Sequence, residues 1–478
     1  MDFWLLSPEL SICGIALLVI LLDLVIEQKK LLAAISVAGL IIPIAFTIAL
    51  WGETETSFSG MLVVDDFSLF FKFLIYGIAA LVILSSVDYI SKFARFQGEY
   101  YALVLLSAGG LALMATTGEL ISIYISLELA SISLYALVAF LKDSKSSEAG
   151  LKYMILGAIS SAVLLLGMAF IFGMTGTTHL DEILTRVSEL VAGGQLWDTP
   201  ALLLGIVLMV AGFGFKIASV PFQMWVPDVY EGAPTPITAY LSVASKAAGF
   251  AVILRVFHAA FGDPLISGDW AMIFAVLGAI SMTLGNVVAI AQTNIKRMLG
   301  YSSIAHAGYI MVGLAAISTL GKSGVLFFLA GYALANLGAF IAIIVVSSKI
   351  GSDQISDYSG MVRRSPVLAL ILAFCLISLI GIPPTVGFMA KFYIFNAAIQ
   401  QDLLWLVIIA VLNSVISAYY YLRVVKVMYL GEPASEEAVP SSIPLRITLA
   451  ITSLGVLVLG VYPWLVLKLA ETAAAIAP

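Results

Sequence analysis

Residues 214–221 read Gly-Phe-Lys-Ile-Ala-Ser-Val-Pro, which places a lysine and a proline within a long apolar stretch. Residues 381–391 repeat the combination as Gly-Ile-Pro-Pro-Thr-Val-Gly-Phe-Met-Ala-Lys. Proline breaks a helix because it has no N–H to donate, and within a membrane the freed backbone groups must face protein or a water-filled cavity. Broken apolar helices in corresponding positions of two halves are typical of inverted-repeat transporters, whose functional site lies at the breaks. The two stretches therefore predict an all-α polytopic membrane protein.

The composition around these stretches is that of a chain surrounded by lipid. Of 478 residues, 62 % are hydrophobic and only 11 % are charged, whereas soluble domains are about a quarter charged. The net charge of -6 does not suit a nucleic-acid partner, which attracts clustered lysine and arginine. Two cysteines that lie far apart and three histidines provide no ligand set for an iron–sulfur cluster or another metal centre. We therefore expect a lipid bilayer around the chain, and neither a metal nor a cofactor bound by it.

A helix that crosses a membrane needs about 20 mainly apolar residues. Fourteen such segments are predicted, at residues 8–27, 31–50, 69–89, 99–115, 118–140, 148–173, 200–219, 234–258, 270–291, 298–317, 322–348, 366–399, 402–430 and 443–466. Between the sixth and seventh segments, residues 181–192 have the apolar spacing of an amphipathic helix that lies along a surface.

Lysine and arginine are distributed unequally between the two sides that these segments define. Fifteen of the 23 basic residues fall on one side, which we call the basic-rich face, five fall within helices, and three fall on the other side, namely Arg186, Lys322 and Lys468. Positive residues concentrate on the cytoplasmic side of membrane proteins. Both termini are therefore expected on the outer side of the membrane.

Four charged residues lie deep within predicted membrane helices: Glu128, Lys216, Lys246 and Lys391. A charge at the centre of a membrane helix costs roughly 3 kcal/mol on insertion scales. Ion pairing that only locks helices together would leave charge unmatched, because the set holds three cations and one anion. Burial favours the neutral form of lysine, so such groups are suited to binding and releasing protons. The four residues are the predicted proton-handling site.

Three other polar residues in the predicted helices are a candidate proton relay, His306, and two residues without an expected function, Lys72 and Arg255. His306 shares one polar stripe with Ser302 and Tyr309 at i, i+4 and i+7 spacing, and it is a candidate proton relay. Lys72 and Arg255 lie near the ends of predicted helices, where long side chains can reach water. We therefore expect no function of these last two residues.

Redox and nucleotide chemistry leave sequence signatures that this chain lacks. Gly212 and Gly214 begin like a dinucleotide fingerprint, but Ile217 occupies the third glycine position. Neither a Walker A sequence nor a His-Glu-x-x-His motif is present. The chain is therefore expected to transport ions by means of energy that is released elsewhere.

Three stretches resemble a known family. Residues 214–236 (GFKIASVPFQMWVPDVYEGAPTP) and 292–309 (QTNIKRMLGYSSIAHAGY) resemble the antiporter-like subunits of respiratory complex I. The second of these and residues 381–393 (GIPPTVGFMAKFY) are similar to the group called subunit N. Lys391 favours this group, because the otherwise similar subunit M carries glutamate there. The resemblance spans nearly the whole chain.

The resemblance implies a division into three N-terminal helices, two inverted five-helix repeats and a last helix. The corresponding ranges are 1–98 for helices 1–3, 99–260 for the first repeat, 268–430 for the second and 431–478 for a loop and helix 14. The broken helices are then the seventh and the twelfth.

The resemblance also implies a translocase subunit that moves protons while partner subunits reduce quinone. Its key residues map onto Glu128, Lys216, Lys246 and Lys391. FMN, iron–sulfur clusters and quinone are expected in other subunits. The expected partners are subunit M, small subunits of the K, J and A type and a redox arm, all at a bacterial inner membrane. Three alternatives remain open: a multisubunit cation/proton antiporter, an ion-pumping membrane hydrogenase, and a scaffold whose charges only hold helices together.

Overall fold

The computed structural model describes residues 3–91, 96–192, 196–433 and 437–476. Within these ranges the chain is predominantly helical, as expected for an all-α polytopic membrane protein, and eleven helices are long and apolar enough to cross a membrane. The remaining predicted segments coincide with Ser7–Asp23, Ile295–Ala315 and the pair Pro366–Ile380 and Val386–Gln400. The number fourteen and the division into repeats stay predictions.

The N-terminal part contains four helices and a hairpin. They are α1 (Ser7–Asp23), α2 (Lys30–Gly39), α3 (Ile41–Ala49), β1 (Glu55–Ser57), β2 (Leu62–Val64) and α4 (Asp66–Ile90). The strands pair antiparallel, with Ser57 opposite Leu62. Asp65 starts α4, because its carboxylate accepts the backbone N–H of Ser68 at 2.9 Å while the Ser68 hydroxyl bonds back to the N–H of Asp65. Such a capping box satisfies backbone donors that the first helical turn cannot.

The next part of the chain holds eight helices. They are α5 (Gln97–Thr116), α6 (Leu120–Val138), α7 (Ser144–Thr175), α8 (Leu180–Val191), α9 (Pro200–Ile217), α10 (Trp225–Gly232), α11 (Thr235–Tyr240) and α12 (Lys246–Ala259). A 3-10 turn at Leu196–Asp198 precedes α9, and a π-helical turn at Leu241–Ser245 joins α11 to α12. The amphipathic α8 coincides with the predicted segment 181–192. Its Ile183, Val187 and Val191 are buried, whereas Leu190, from the same apolar pattern, is exposed.

The last part holds nine helices. They are α13 (Pro264–Ile290), α14 (Ile295–Ala315), α15 (Thr319–Ile350), α16 (Met361–Arg364), α17 (Pro366–Ile380), α18 (Val386–Gln400), α19 (Leu404–Leu430), α20 (Ile443–Val461) and α21 (Trp464–Ala473), with a 3-10 turn at Ile355–Tyr358. The segment formed by α11, the π-helical turn and α12 is buried along its whole length, and α15 is buried over most of it. The centre of the bundle therefore contains the helix that begins with Lys246.

Both predicted helix breaks are present. The chain leaves α9 at Ala218 and α17 at Gly381, where φ is 62° and 92°. A left-handed conformation of this kind ends a helix, and at position 381 it favours glycine. Each break contains a cis peptide bond, before Pro221 and before Pro384.

Candidate functional site

Lys216 lies in the last turn of α9, directly before the first break. Its side chain is buried, and its Nζ donates to the hydroxyl of Ser131 on α6 at 3.0 Å. The break frees backbone carbonyls, and that of Phe215 accepts the indole N–H of Trp225 at 3.0 Å. At the first break, both the lysine and the freed backbone therefore face protein rather than lipid. Backbone groups that lose their helical partners within a membrane require such surroundings.

Glu128 also lies on α6, one turn before Ser131, and it is half-buried. Its carboxylate accepts a short hydrogen bond from the hydroxyl of Ser161 on α7. In the described ranges no ion pair joins Glu128 to Lys216, and each of the two side chains is hydrogen-bonded to a serine instead. Ser161 is therefore the hydrogen-bond partner of Glu128, and Ser131 is that of Lys216. Each serine is closer to its charged group than the two charged groups are to each other.

Glycine brings the helices of the first two lysines together. A β-carbon at Gly249, one turn after Lys246, would lie 2.8 Å from the side chain of Ile217 and 3.4 Å from that of Lys216. Only glycine at this position allows α12 to pack directly against the end of α9. The structure therefore places Lys216 beside the helix that carries Lys246.

Lys246 follows the π-helical turn and is almost fully buried. A π-helical turn inserts one residue into a helix and is often found at functional sites. The Nζ of Lys246 donates to the Ser303 hydroxyl at 2.7 Å and to the Ser303 carbonyl oxygen through a short contact, and it lies 5.5 Å from the ring of Tyr332. The hydroxyls of Tyr230 and Tyr332 each lie 3.2 Å from the hydroxyl oxygen of Ser303. Ser303 is thus shared by one lysine and two tyrosines.

Lys391 lies on α18, beyond the second break, and it is buried. Its Nζ donates to the carbonyl oxygens of Ile380 at 2.8 Å and Leu379 at 3.4 Å, and to the Ser414 hydroxyl at 3.1 Å. It also lies 4.3 Å from the centre of the Tyr309 ring. The two carbonyls are at the C-terminal end of α17, where the helix dipole is negative. The second break therefore supplies neutral groups that stabilise a buried ammonium.

His306 lies between Lys246 and Lys391, within the aromatic contacts of the bundle. The centre of its ring is 4.9 Å from that of Tyr332 and 5.6 Å from that of Tyr309. Its Nδ1 is buried and has no hydrogen-bond partner among the described residues. The ring contacts of His306 therefore connect Tyr332, which lies 5.5 Å from the Nζ of Lys246, with Tyr309, which lies 4.3 Å from the Nζ of Lys391.

The interpretation of Lys72 as a residue that reaches water is wrong. Its side chain is 0 % exposed, and its Nζ lies 2.7 Å from a carboxylate oxygen of Glu9 on α1, itself 3 % exposed. The physical reason is that α4 packs among α2, α5, α20 and α21, so that no path leads from Lys72 to the aqueous phase. Glu9 compensates the buried charge.

Arg255 is likewise buried rather than exposed. Its guanidinium donates to both carboxylate oxygens of Asp65 at 2.7 and 2.9 Å, and to the carbonyl oxygen of Ala115 at 2.9 and 3.2 Å. Arg255 therefore connects α12 to the N-cap of α4 and to the C-terminal end of α5. Lys296, counted on the basic-rich face, is a third buried cation, and it pairs with Asp353 at 3.4 Å.

A model of the membrane segments of the NADH:quinone oxidoreductase/Mrp antiporter family matches residues 117–417 of the chain. NADH-quinone oxidoreductase subunit N of Dehalococcoides mccartyi is 50 % identical over 477 residues, which cover 98 % of each chain. The chain belongs to this family, among its subunit N members.

Two solved structures extend the comparison for this subunit N family member. A chain of respiratory complex I from Thermus thermophilus with bound aureothin has a TM-score of 0.81 and 32 % identity, and the match covers 97 % of this chain and 99 % of that chain. A chain of the Mrp complex from a Dietzia species has a TM-score of 0.86 but only 21 % identity, with 99 % and 97 % covered. The second likeness concerns the fold alone.

The family match includes every predicted site residue but begins after the buried ion pair of Glu9 and Lys72. Glu128, Lys216, Lys246, His306 and Lys391 lie within residues 117–417. The pair of Glu9 and Lys72 lies before that segment. The helices of the site therefore coincide with the part of the chain that the family model describes.

An apolar cleft opens beside Lys391. It has a volume of about 560 Å³ and lies between α17, α18 and α19, with Phe392, Val411 and Val415 on its walls. Its polar lining residues are Lys391, Asn396 and Ser414, and the Nζ of Lys391 donates to the Ser414 hydroxyl at 3.1 Å. Nothing in the sequence pattern indicates this cleft, because it depends on how α18 and α19 diverge.

Proposed function

We propose that this chain is the proton-translocating subunit N of an NADH-quinone oxidoreductase and that Glu128, Lys216, Lys246 and Lys391 carry the protons. The observation that carries the proposal is the set of ligands around the three lysines. Each ammonium group donates to a serine hydroxyl, and none of the three forms an ion pair within the described part of the chain. The serines are Ser131, Ser303 and Ser414.

A serine hydroxyl suits a lysine that gains and loses a proton. The hydroxyl accepts a hydrogen bond from the charged ammonium, and after rotation it donates one to the neutral amine. A carboxylate, by contrast, only accepts while it is ionised, so it stabilises the charged lysine alone. Lys72 and Lys296, which face carboxylates, are therefore assigned to structure, and the three lysines with serine ligands to transport.

In the proposed cycle the carboxylate of Glu128 closes on Lys216 when that lysine is charged and returns to Ser161 when it is neutral. The proton then passes to Lys246, whose helix packs on α9, and from there towards Lys391. His306 is proposed to bridge the gap between the tyrosines that contact the last two lysines. Moving one charge against 100 mV costs about 2.3 kcal/mol, so redox chemistry in partner subunits must drive each step.

The proposal includes the surroundings in which such a subunit works. The partner subunits are of the M type and the small K, J and A types, together with a redox arm. These partners, not this chain, hold FMN, iron–sulfur clusters and quinone. The complex lies in a bacterial inner membrane, with both termini of this chain on the outer side.

Replacing Lys246 with alanine in the assembled complex tests the proposal. We expect assembly to persist, because the lysine makes no ion pair in the described ranges, while proton pumping in sealed vesicles is lost. Lys349→Ala is the matched control, since Lys349 is partly exposed and its partner is the exposed Glu437 at 3.1 Å. Full pumping by an assembled Lys246→Ala complex would refute the transport role and favour the scaffold.

The subunit composition of the purified complex separates the proposal from its relatives with the same fold. Iron–sulfur and quinone-binding subunits in the preparation support an oxidoreductase. Sodium-dependent proton exchange without any redox subunit would establish a cation/proton antiporter instead. Hydrogen oxidation by the preparation would establish a membrane hydrogenase.

A further inference from the structure

A pocket of about 230 Å³ opens between α7, α10 and α14, away from the polar groups described above. We call it the charged pocket, because six ionic side chains line it: Lys145, Glu148, Lys152, Asp228, Glu231 and Arg297. Its three basic residues belong to the basic-rich face. The pocket therefore meets the aqueous phase on the side from which an outward pump takes its protons.

The carboxylates of the charged pocket are connected by ion pairs across three helices. Arg297 on α14 lies 2.7 Å from Asp228 and 2.9 Å from Glu231, both on α10. Lys152 on α7 lies 2.9 Å from the other oxygen of Asp228. These side chains are between 29 % and 43 % exposed, so water reaches them. The pocket thus combines solvent access with groups that accept protons.

The opposite side of α10 reaches the ligand of Lys246. Tyr230 stands between Asp228 and Glu231 in the sequence, yet it is buried, and its hydroxyl lies 3.2 Å from that of Ser303. Ser303 in turn accepts a hydrogen bond from Lys246 at 2.7 Å. One short helix therefore presents carboxylates to water on one side and a hydroxyl to the buried lysine on the other.

The distance between the pocket and Lys246 is short along α14. Arg297 and Ser303 are six residues apart, which corresponds to about 9 Å of helix rise. Gly300 lies between them, and Tyr230 packs on it: a β-carbon at Gly300 would lie 3.5 Å from the Tyr230 ring. The Tyr230 ring therefore lies against α14 between the charged pocket and Ser303.

We propose that the charged pocket is the site of proton uptake from the basic-rich face and that Tyr230 passes the proton to Lys246 through Ser303. A carboxylate of the pocket takes a proton from water. The carboxylic acid then releases this proton towards Tyr230. As the proton arrives at the Tyr230 oxygen, the phenolic proton moves to the Ser303 oxygen, and the Ser303 hydroxyl proton moves to the neutral Nζ of Lys246. One proton is gained by the lysine and both hydroxyls are restored. The inference rests on the proposed role of Lys246 in transport, and it makes the charged pocket and Tyr230, in place of Lys216, the immediate proton source of Lys246.

The first test removes the tyrosine hydroxyl while keeping its ring. Tyr230→Phe in the assembled complex is expected to lose proton pumping in sealed vesicles. Tyr240→Phe is the matched control, because Tyr240 is also a buried tyrosine and its hydroxyl bonds to Ser107 instead, at 3.1 Å. Unchanged pumping by Tyr230→Phe would overturn the relay.

The second test closes the pocket from the water side. Lys145→Cys is labelled with a charged methanethiosulfonate reagent, and pumping is measured before and after the labelling. Lys142→Cys is the control, three residues away on the same face but outside the lining of the pocket. We expect labelling to stop pumping only at position 145, whereas equal effects at both positions, or none, would overturn uptake at the pocket.

The two hypotheses fail in different ways when Lys246→Ala is assayed in parallel. If Lys246→Ala pumps normally, the transport role of the lysine is wrong. If Lys246→Ala loses pumping while Tyr230→Phe and labelled Lys145→Cys keep it, the lysine takes its proton by another route and the charged pocket is only a structural ion-pair cluster.

Discussion

The buried pair of Glu9 and Lys72 allows a quantitative prediction about stability. The two groups lie 2.7 Å apart, with side chains 3 % and 0 % exposed. In the described ranges neither carboxylate oxygen of Glu9 nor the Nζ of Lys72 has a further hydrogen-bond partner. Lys72→Met removes the cation and leaves an uncompensated carboxylate in the interior. Breaking a buried pair in this way costs about 3–5 kcal/mol, on the order of a 100-fold change or more in the unfolding equilibrium.

The double variant distinguishes pairing from mere burial. Lys72→Met together with Glu9→Met leaves no buried charge, and replacing a buried pair by hydrophobic groups of similar volume is often close to neutral in stability. The two single substitutions should therefore not add, and the double-mutant cycle should give a coupling energy of about 3 kcal/mol.

The measurement is reversible unfolding of the purified full chain in mixed micelles, followed by far-ultraviolet circular dichroism. Lys29→Met is the control, because Lys29 pairs with Asp23 at 2.8 Å while its side chain is 27 % exposed. A pair of that kind is worth about 0–1 kcal/mol. Single effects at Glu9 and Lys72 that add to within about 0.5 kcal/mol would show that the two groups reach water independently, as helix-end residues often do.

Three further predictions concern the second break and the charged pocket. Gly381→Ala forces a side chain into a backbone with φ of 92° and places its β-carbon 3.0 Å from Lys391; we expect a loss of about 1–2 kcal/mol of stability and of pumping, whereas Gly173→Ala, with nothing within 4 Å of the added carbon, should leave both unchanged. Ser414→Ala removes a hydrogen bond to an ammonium group, worth about 1.5–3 kcal/mol, so pumping should slow roughly tenfold in vesicles, and an unchanged rate would contradict the ligand role. Partial burial opposes ionisation of Asp228, but hydrogen bonds from a lysine and an arginine keep its pKa below the usual range. This lowered pKa contributes stability above a pH of about 4, near the pKa of an unfolded aspartate, and the contribution is lost as the pH falls further; unfolding measured against pH should show the loss in the wild-type chain and not in Asp228→Asn.

The helices and the four deep charges could be predicted because the signals for them are local. The length of an apolar run is enough to predict a membrane helix, and the combination of glycine and proline within such a run predicts the two breaks. Lys216, Lys246 and Lys391 stand out because the cost of a charge depends on its depth within one helix. The structure places all three lysines in protein interior beside polar groups, and their function stays a prediction.

The buried ion pairs could not be predicted because they join residues that are distant in the sequence. Arg255 meets Asp65 across 190 positions, and Lys72 meets Glu9 between the first and fourth helices. Because Lys72 and Arg255 lie near the ends of predicted helices, the sequence predicts that their side chains contact water. Only the packing of other helices around α4 and α12 removes that water, and the packing is not encoded in any single segment. The absence of an ion pair between Glu128 and Lys216 in the described part of the chain has the same origin, because each side chain is hydrogen-bonded to a serine of a neighbouring helix.

Depth in the membrane therefore does not separate the lysines that we propose for transport from the lysines that we assign to structure, whereas the partner of each lysine does. Lys72 is as deeply buried as Lys246, so the cost of removing the charge from water is similar for both. A carboxylate at 2.7 Å offsets that cost only while the lysine is charged, and deprotonation would leave the carboxylate alone in the interior. The hydroxyl of Ser303 imposes no such condition, because it can accept from the ammonium and donate to the amine. The ligands of Lys246 therefore suit both protonation states of the lysine, as the proposed transport role requires, whereas the carboxylate partner of Lys72 suits only the charged state.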